Sequence, residues 1–321
     1  MPIEHRDKEG RFFNPWEPRR SSNYGGLIKW LVFSRNRFRA EKKKKVEFNT
    51  LCPDFKSLDG AGKDYFVWLG HSTVFMRLGK KAVLTDPVLW DVNFMIKRKT
   101  PLPVKPEDLP KIDYCLVSHS HYDHLNTKSI NYLKERFDPL FITGPGYGDY
   151  FKSLGVTKRA ELDWWEGLGA EGFKITSLPV QHWSKRSFFD TNRMLWCSFL
   201  IERGGRKYLW AGDTGYFEGF KDIGKDYGPI DMLFIPVGAY EPRWFMKRNH
   251  LNPEEAVMTA RDLKARLTIP IHWGTFDLTD EPLWLPIKRL KEVIAQGNSP
   301  EFVIIEHGGH YIVEPGYETS L

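Results

Sequence analysis

The run Ser118-His119-Ser120-His121-Tyr122-Asp123-His124 constrains this chain more than any other stretch, because it packs four metal-type donors into six residues. Upstream, 112–117 reads as a short buried strand of apolar and β-branched residues. Downstream, Asn126 or Thr127 can cap an amphipathic helix running through Ile130, Leu133 and Phe137. The donors therefore sit on a strand-to-helix turn, where a rigid scaffold can aim several side chains at one point. His119 and His121, two apart, can share one ion, and Asp123 and His124 can turn to a second beside it. Imidazole and carboxylate suit zinc or a similar divalent metal. The plain alternative is a polar surface turn, but three of the chain's ten histidines fall in these six residues.

Around this turn the pattern is strands, then helices, twice over. Strands are expected over 65–69, 73–78, 82–85 and 140–143, with a tight turn at Gly79-Lys80, and a helix ends near Leu154. Further strands are expected over 174–178, 196–202, 207–210, 232–237, 268–271 and 302–305. A helix begins at Pro253 behind an Asn252 cap, and another lies around 286–296. Strand runs followed by helices predict two sheets packed face to face with helices outside.

The first 60 residues differ. Residues 1–48 hold 13 Lys or Arg against 6 Asp or Glu, a balance of +7 out of the chain's +6, which leaves −1 for the remainder. This is a basic N-terminal arm (1–60) joined to one domain (61–321). Leu27, Ile28, Leu31 and Phe38 fit one helical face over 27–45, with Trp30, Phe33 and a run of cations around it. The pattern is that of an interfacial helix on an anionic membrane surface, or of a helix packed on the main domain. A near-neutral body gives no cationic track for a nucleic acid. No apolar run is long enough to span a bilayer, and the first residues lack a signal core. Cys52, Cys115 and Cys197 show no paired spacing. A reducing, cytoplasmic location with peripheral membrane association is the resulting expectation.

Three more donors follow strand-like runs: His182 after 176–181, Asp213 after 208–212 and His272 after 268–271. A lone histidine after a strand is usually structural; it is the joint, ordered set that carries weight. That set resembles the metallo-β-lactamase superfamily. Trp68-Leu69-Gly70-His71-Ser72-Thr73, Leu84-Thr85-Asp86-Pro87, Gln181-His182-Trp183-Ser184-Lys185-Arg186, Ala211-Gly212-Asp213-Thr214 and Ile271-His272-Trp273-Gly274 are similar to its N-acyl-phosphatidylethanolamine-hydrolysing phospholipase D branch. The resemblance covers roughly residues 65–276.

The resemblance implies an αββα sandwich with two zinc ions, manganese or iron being alternatives. His119, His121 and His182 would take one ion, Asp123, His124 and His272 the other, and Asp213 would bridge. Asp86 would steady a ligand histidine. His71 is either a similar support or a buried strand-turn histidine. His250 is either an active-site group or the flank of the helix at Pro253, and His310 receives no role. Two ions about 3.5–4 Å apart can hold a hydroxide for attack on phosphorus, so Asp123, Asp213 and His250 are the catalytic candidates. The implied reaction cleaves N-acyl-phosphatidylethanolamine or a related glycerophospholipid to phosphatidate and N-acylethanolamine, in a homodimer. A lactonase, thioesterase or ribonuclease on the same ligands is the rival reading.

Overall fold

The computed structural model describes residues 4–17, 25–26, 29–44, 46–170, 172–297 and 299–314. The first sheet is built from β1 (Tyr65–Gly70), β2 (Thr73–Leu78), β3 (Lys81–Thr85), β4 (Tyr114–Leu116), β5 (Leu140–Thr143), β6 (Arg159–Glu161) and, from the far end of the chain, β14 (His310–Ile312). Its order is β14-β1-β2-β3-β4-β5-β6. The second sheet comprises β7 (Gly167–Ala170), β8 (Phe173–Leu178), β9 (Ser198–Arg203), β10 (Arg206–Trp210), β11 (Ile230–Pro236), β12 (Ala265–Ile271) and β13 (Glu301–Phe302), ordered β13-β12-β11-β10-β9-β8-β7. Hairpins give antiparallel pairs at β1–β2–β3 and β7–β8–β9–β10, while β3–β4–β5–β6 and β10–β11–β12–β13 run parallel.

Period-two alternation sorts β1 between two cores. Phe66 and Trp68 face the second sheet, joining Leu200, Leu209 and Phe234 in the central core. Tyr65, Val67 and Leu69 face outward and are covered by Ile130 and Leu133 of the helix Thr127–Arg136, Phe151 of the helix Gly148–Ser153, and Phe55 and Leu58 of the helix Phe55–Gly60. The helices Gly219–Asp226, Pro253–Asp262 and Leu285–Ala295 cover the second sheet through Phe220, Ile223, Ala256, Ala260, Ile287 and Leu290. The expected helix–sheet–sheet–helix sandwich is the observed one.

Three departures have local causes. The strand expected over 302–305 is two residues long, because β13 pairs only Leu267 and Thr268 of β12 before turning away. The strands β6, β7 and β14 carry patterns too weak to announce them in the sequence; β6 is largely exposed. The segment 27–45 is not one amphipathic helix. Leu27, Ile28 and Lys45 lie outside the described residues, and the remainder holds one π-helical turn, Lys29–Phe33, and one 3₁₀ turn, Glu41–Lys43. Side-chain ties replace helical bonding there: Trp30 Nε1 donates to Asp280 (3.0 Å), Asn36 to the Asp280 carbonyl (3.1 Å), and Arg37 and Lys42 pair with Glu241 and Asp277. Residues 4–17 also pack on the body, with Phe12 in the central core.

Candidate metal centre

The histidine turn is built as its flanks require. Beyond β4, Val117 N donates to Ile142 O at 3.0 Å, which carries the strand direction to Ser118. The chain then tightens, with His124 N and Leu125 N both donating to His121 O, and enters the helix Thr127–Arg136, whose first turn is capped by Asn126 Oδ1 accepting from Ser129 N. The Arg186 guanidinium braces this turn. It donates to Ser120 O (2.9 Å), Leu125 O (2.7 Å) and Thr127 Oγ1 (3.2 Å), and lies 4.4 Å over the Tyr122 ring.

All ten candidate residues meet here. His119, His121 and His182 form one group and His71, Asp123, His124 and His272 another, the donor atoms of each lying within 4.8 Å of one another. Asp213 reaches the second group, with Oδ2 3.2 Å from His124 Nε2 and Oδ1 3.1 Å from His272 Nε2. His71 Nε2 stands 3.1 Å from Asp123 Oδ2, and its ring centre is 4.0 Å from that of His272. It is therefore part of the cluster, where the sequence left a purely structural histidine open. His250 also belongs, its Nδ1 3.7 Å from Asp213 Oδ2. His310, exposed on β14, joins neither group.

The donor set fits divalent ions. His119 Nε2, His121 Nε2 and His272 Nδ1 are buried without a hydrogen-bond partner, and His124 Nε2 and His272 Nε2 have the Asp213 carboxylate beside them. Leaving such groups unsatisfied costs about 1–3 kcal/mol each, a debt that coordination would remove. The outer hydrogen bonds leave the correct nitrogens facing inward. His119 Nδ1 donates to Ser118 Oγ (2.9 Å), Ser118 Oγ donates to Asp86 Oδ2 (2.6 Å), and His124 Nδ1 donates to the same oxygen (2.5 Å). Asp86 thus steadies one histidine of each group. His182 Nδ1 donates to Asn249 O at 3.0 Å, which leaves Nε2 facing inward, 3.3 Å from His121 Nδ1.

The electrostatics follow from burial. Desolvation, helped by neighbouring imidazoles, holds His119 and His182 well below the ordinary histidine range. Burial takes His121 down to about 4. For Asp213 burial alone would act upward, yet His124 and His272 keep it well below the usual carboxylate value. The converse holds for His124, where Asp213, Asp86 and Asp123 overcome desolvation and raise it. Burial thus favours neutral, lone-pair-bearing imidazoles at His119, His121 and His182, while the Asp213–His124 contact favours the charged form of each partner.

The backbone is strained where the site is assembled. His71 (φ 53°), Asp86 (φ 29°) and His272 (φ 63°) all occupy left-handed conformations, which cost about 1–3 kcal/mol apiece for non-glycine residues. His272 N donates to His71 O at 2.9 Å, tying the end of β12 to the end of β1 across the sandwich. Gly212, before Asp213, is also left-handed, and a Cβ there would sit 2.7 Å from the Ser118 Cβ. Two supports escaped sequence reasoning. Asn14 Nδ2 donates to His182 O (2.9 Å) while its Oδ1 accepts from Trp196 Nε1 (3.0 Å), a contact across 168 positions that no local signal announces. Arg186 lay inside a quoted motif, but nothing in its neighbours marks it as the brace of a turn 60 residues away.

A family described as the beta-lactamase superfamily domain matches residues 81–273. N-acyl-phosphatidylethanolamine-hydrolyzing phospholipase D 1 of Caenorhabditis elegans is 34% identical over 321 residues, 89% of this chain and 87% of the relative. The mitochondrial N-acyl-phosphatidylethanolamine-hydrolyzing phospholipase D of Saccharomyces cerevisiae is 39% identical over 245 residues, 72% of this chain, which spans about half (52%) of that relative's length. Among solved structures, a metallo hydrolase from the archaeon Ignicoccus hospitalis superposes with TM-score 0.62 at 19% identity, over 79% of this chain and 100% of that one. A diiron β-hydroxylase from Streptomyces venezuelae does so with TM-score 0.58 at 21% identity, over 79% of this chain and 54% of that one. These two share the fold. Matched over more than half its length by the family, and nearly end to end by the nematode protein, the chain belongs to the metallo-β-lactamase superfamily as a metal-dependent hydrolase, and it resembles the N-acyl-phosphatidylethanolamine-hydrolysing phospholipases D.

Proposed function

We propose that the protein is a dinuclear, zinc-dependent phosphodiesterase of phospholipase D type, acting on N-acyl-phosphatidylethanolamine or a closely related glycerophospholipid. The observation that carries this reading is the convergence of two donor groups, His119/His121/His182 and Asp123/His124/His272, with Asp213 between the imidazoles. The lipid class is supported by the printed activity of the yeast and nematode relatives. Bound ions would supply a water-derived nucleophile at neutral pH and offset charge growing on the phosphoryl oxygens. In this reading the residues named would hold the ions, with Asp213 as a ligand beside His124 and His272.

Asp86 and Asn249 keep the imidazoles of His119, His124 and His182 oriented. His71 holds Asp123 through the 3.1 Å contact to its carboxylate. His250, with a buried and unpartnered Nδ1, is our candidate for exchanging a proton with the departing alcohol oxygen. The ring of Trp183, 4.6 Å from that of His121, gives the mouth an apolar wall. We assign the membrane contact to an anionic bilayer surface, with 27–45 among the elements that make it.

The test is elemental analysis of the purified protein together with mass spectrometry of products from a mixed phospholipid extract. Two equivalents of zinc, with phosphatidate and N-acylethanolamine appearing together, are expected. Diacylglycerol or free fatty acid as the product would overturn the assignment of the cleaved bond, and turnover of lactones or thioesters alone would overturn the phosphodiesterase reading.

A further inference from the structure

Among the described residues, most of the large apolar side chains that the fold leaves exposed fall in four segments. Phe94 (84% exposed) and Met95 lie in the loop after β3, Phe188 and Phe189 (85% each) in the loop after His182, Trp244 in the helix Arg243–Met246, and Val32 with Phe33 (77%) in the arm. Each of these segments borders the metal centre or its wall. Trp183, which opens the second loop, packs on His121, and Arg186 of that loop braces the histidine turn. The first loop packs through Val92 and Ile96 on Phe276 and Leu278, and Phe276 stands edge-on to His71 at 5.0 Å. In the third segment Arg243 donates to His250 O (2.9 Å), while Asn249 O receives His182 Nδ1. The arm is joined to these by the ring contact of Trp30 with Phe245 at 5.3 Å and the Lys29 ammonium 5.1 Å above Trp244.

Charge follows the same geography. Segments 29–44, 90–99, 183–193 and 242–249 hold 16 Lys or Arg against 3 Asp or Glu, leaving 31 against 38 for the rest of the chain. Within the fold Arg37, Lys42, Arg243 and Arg248 pair with carboxylates, and Arg98 and Arg186 donate to backbone carbonyls. Of all sixteen, ten are exposed. Read linearly, the basic character belongs to the arm alone; in the fold, three loops of the body join it around the site, and what remains is acidic.

We infer that these four segments form one docking surface for an anionic lipid bilayer, with the Phe94-Met95 and Phe188-Phe189 tips entering the interface and the surrounding cations meeting the headgroups. The inference rests on the lipid phosphodiesterase reading for its biological sense and on the rim alone for its physics. The exposed Phe188-Phe189 and Phe94-Met95 pairs, with cations in the same segments, combine the apolar and electrostatic contributions that stable peripheral binding needs. A nucleic acid would use the cations but leaves the paired phenyl and thioether groups without a role as insertion points.

The test is sedimentation of the metal-loaded full chain with vesicles of phosphatidylcholine alone or with 30 mol% (about one lipid in three) phosphatidylglycerol. Binding to the anionic vesicles, weakened severalfold as salt rises from about 0.1 to 0.5 M, is expected. Phe188→Ser/Phe189→Ser and Phe94→Ser/Met95→Ser should each lower partitioning at least about tenfold. Met258→Ser, an exposed methionine outside the rim, should leave it unchanged. Lys97→Glu/Lys99→Glu should remove the preference for anionic vesicles. Equal partitioning of all variants, no vesicle binding by the unaltered chain, or tighter binding to an RNA oligonucleotide than to vesicles would each overturn the inference. Hydrolysis of a soluble phosphodiester by the unaltered chain is measured in parallel. Vesicle binding without that hydrolysis keeps the docking surface and removes the phosphodiesterase reading; hydrolysis without vesicle binding does the reverse.

Discussion

Asp86→Asn isolates what a single buried carboxylate does for the metal centre. Asp86 is fully buried and accepts from Ser118 N (2.8 Å), Ser118 Oγ (2.6 Å) and His124 Nδ1 (2.5 Å). Through Ser118 Oγ it also fixes His119 Nδ1 at 2.9 Å, so one residue governs an imidazole in each donor group. Asparagine has nearly the same shape but only one acceptor oxygen. With that oxygen kept on Ser118 N, the amide NH₂ faces two donors, and His124 must move its proton to Nε2, the atom aimed at the ion. The loss is one charge-assisted hydrogen bond, about 1.5–3 kcal/mol. That agrees with the 10- to 100-fold, or about 1.4–2.8 kcal/mol, typical when the support of a metal-ligating histidine is removed. We expect both zinc dissociation constants, read by competition with a chromogenic chelator, to rise by that factor while the circular dichroism spectrum stays unchanged. Ser118→Ala cuts only the branch to His119 and should weaken one ion and spare the other. Zinc affinities within twofold of the parent in Asp86→Asn would refute the reasoning, as would a Ser118→Ala variant that loses both ions.

Asp213→Asn should lose one equivalent of metal by elemental analysis and nearly all turnover; two retained ions with full activity would remove Asp213 from its shared position. Gly212→Ala places a methyl group 2.7 Å from Ser118 Cβ at a φ of +62°, and should lower stability by about 2 kcal/mol or more in urea titration, whereas an unchanged midpoint would mean the turn is not fixed there. His307, buried against Trp68 and bonded to Thr275 Oγ1 at 3.0 Å, is pushed down to about 3 by burial and then by Arg98. Its folded value lies below the unfolded one, so its contribution is present above pH ~6.5 and is lost as the pH falls toward 3, costing roughly 2 kcal/mol at pH 5. His307→Gln should flatten the fall in melting temperature between pH 7 and pH 5, and an identical slope would show that the ring takes up its proton without penalty.

The sequence is most informative where structure is local. The turn at 119–124 is bounded by an apolar strand and a capped helix within twenty residues, and each part forms as its own neighbours dictate. His182, Asp213 and His272 are legible for a related reason: each follows a run of buried strand residues, and strands in one sandwich end at a shared edge. His71 resisted, because a histidine after a strand reads the same whether it touches Asp123 or only fills a turn. Asn14 had no signal at all, its partners lying 168 and 182 positions away. The conformation of the arm was hard to read for a different reason. Residues 29–44 have the composition of an amphipathic helix, but Trp30, Asn36, Arg37 and Lys42 find partners at Glu241 and 277–280, and tertiary ties override helical propensity. Charge counted along the chain assigns the cations to the arm and does not register those of 90–99, 183–193 and 242–249.

The bond from His272 N to His71 O closes a seam between segments synthesised far apart. A ribosome finishes the strand carrying His71 and the turn of 119–124 long before it reaches Asp213 or His272. The growing chain therefore carries half of a metal centre and the bare aromatic inner face of one sheet until the second sheet arrives to cover both. Completion of the second donor group and of the seam is a late event in the life of the polypeptide, and a translation product ending short of residue 272 lacks both His272 and its bond to His71 O.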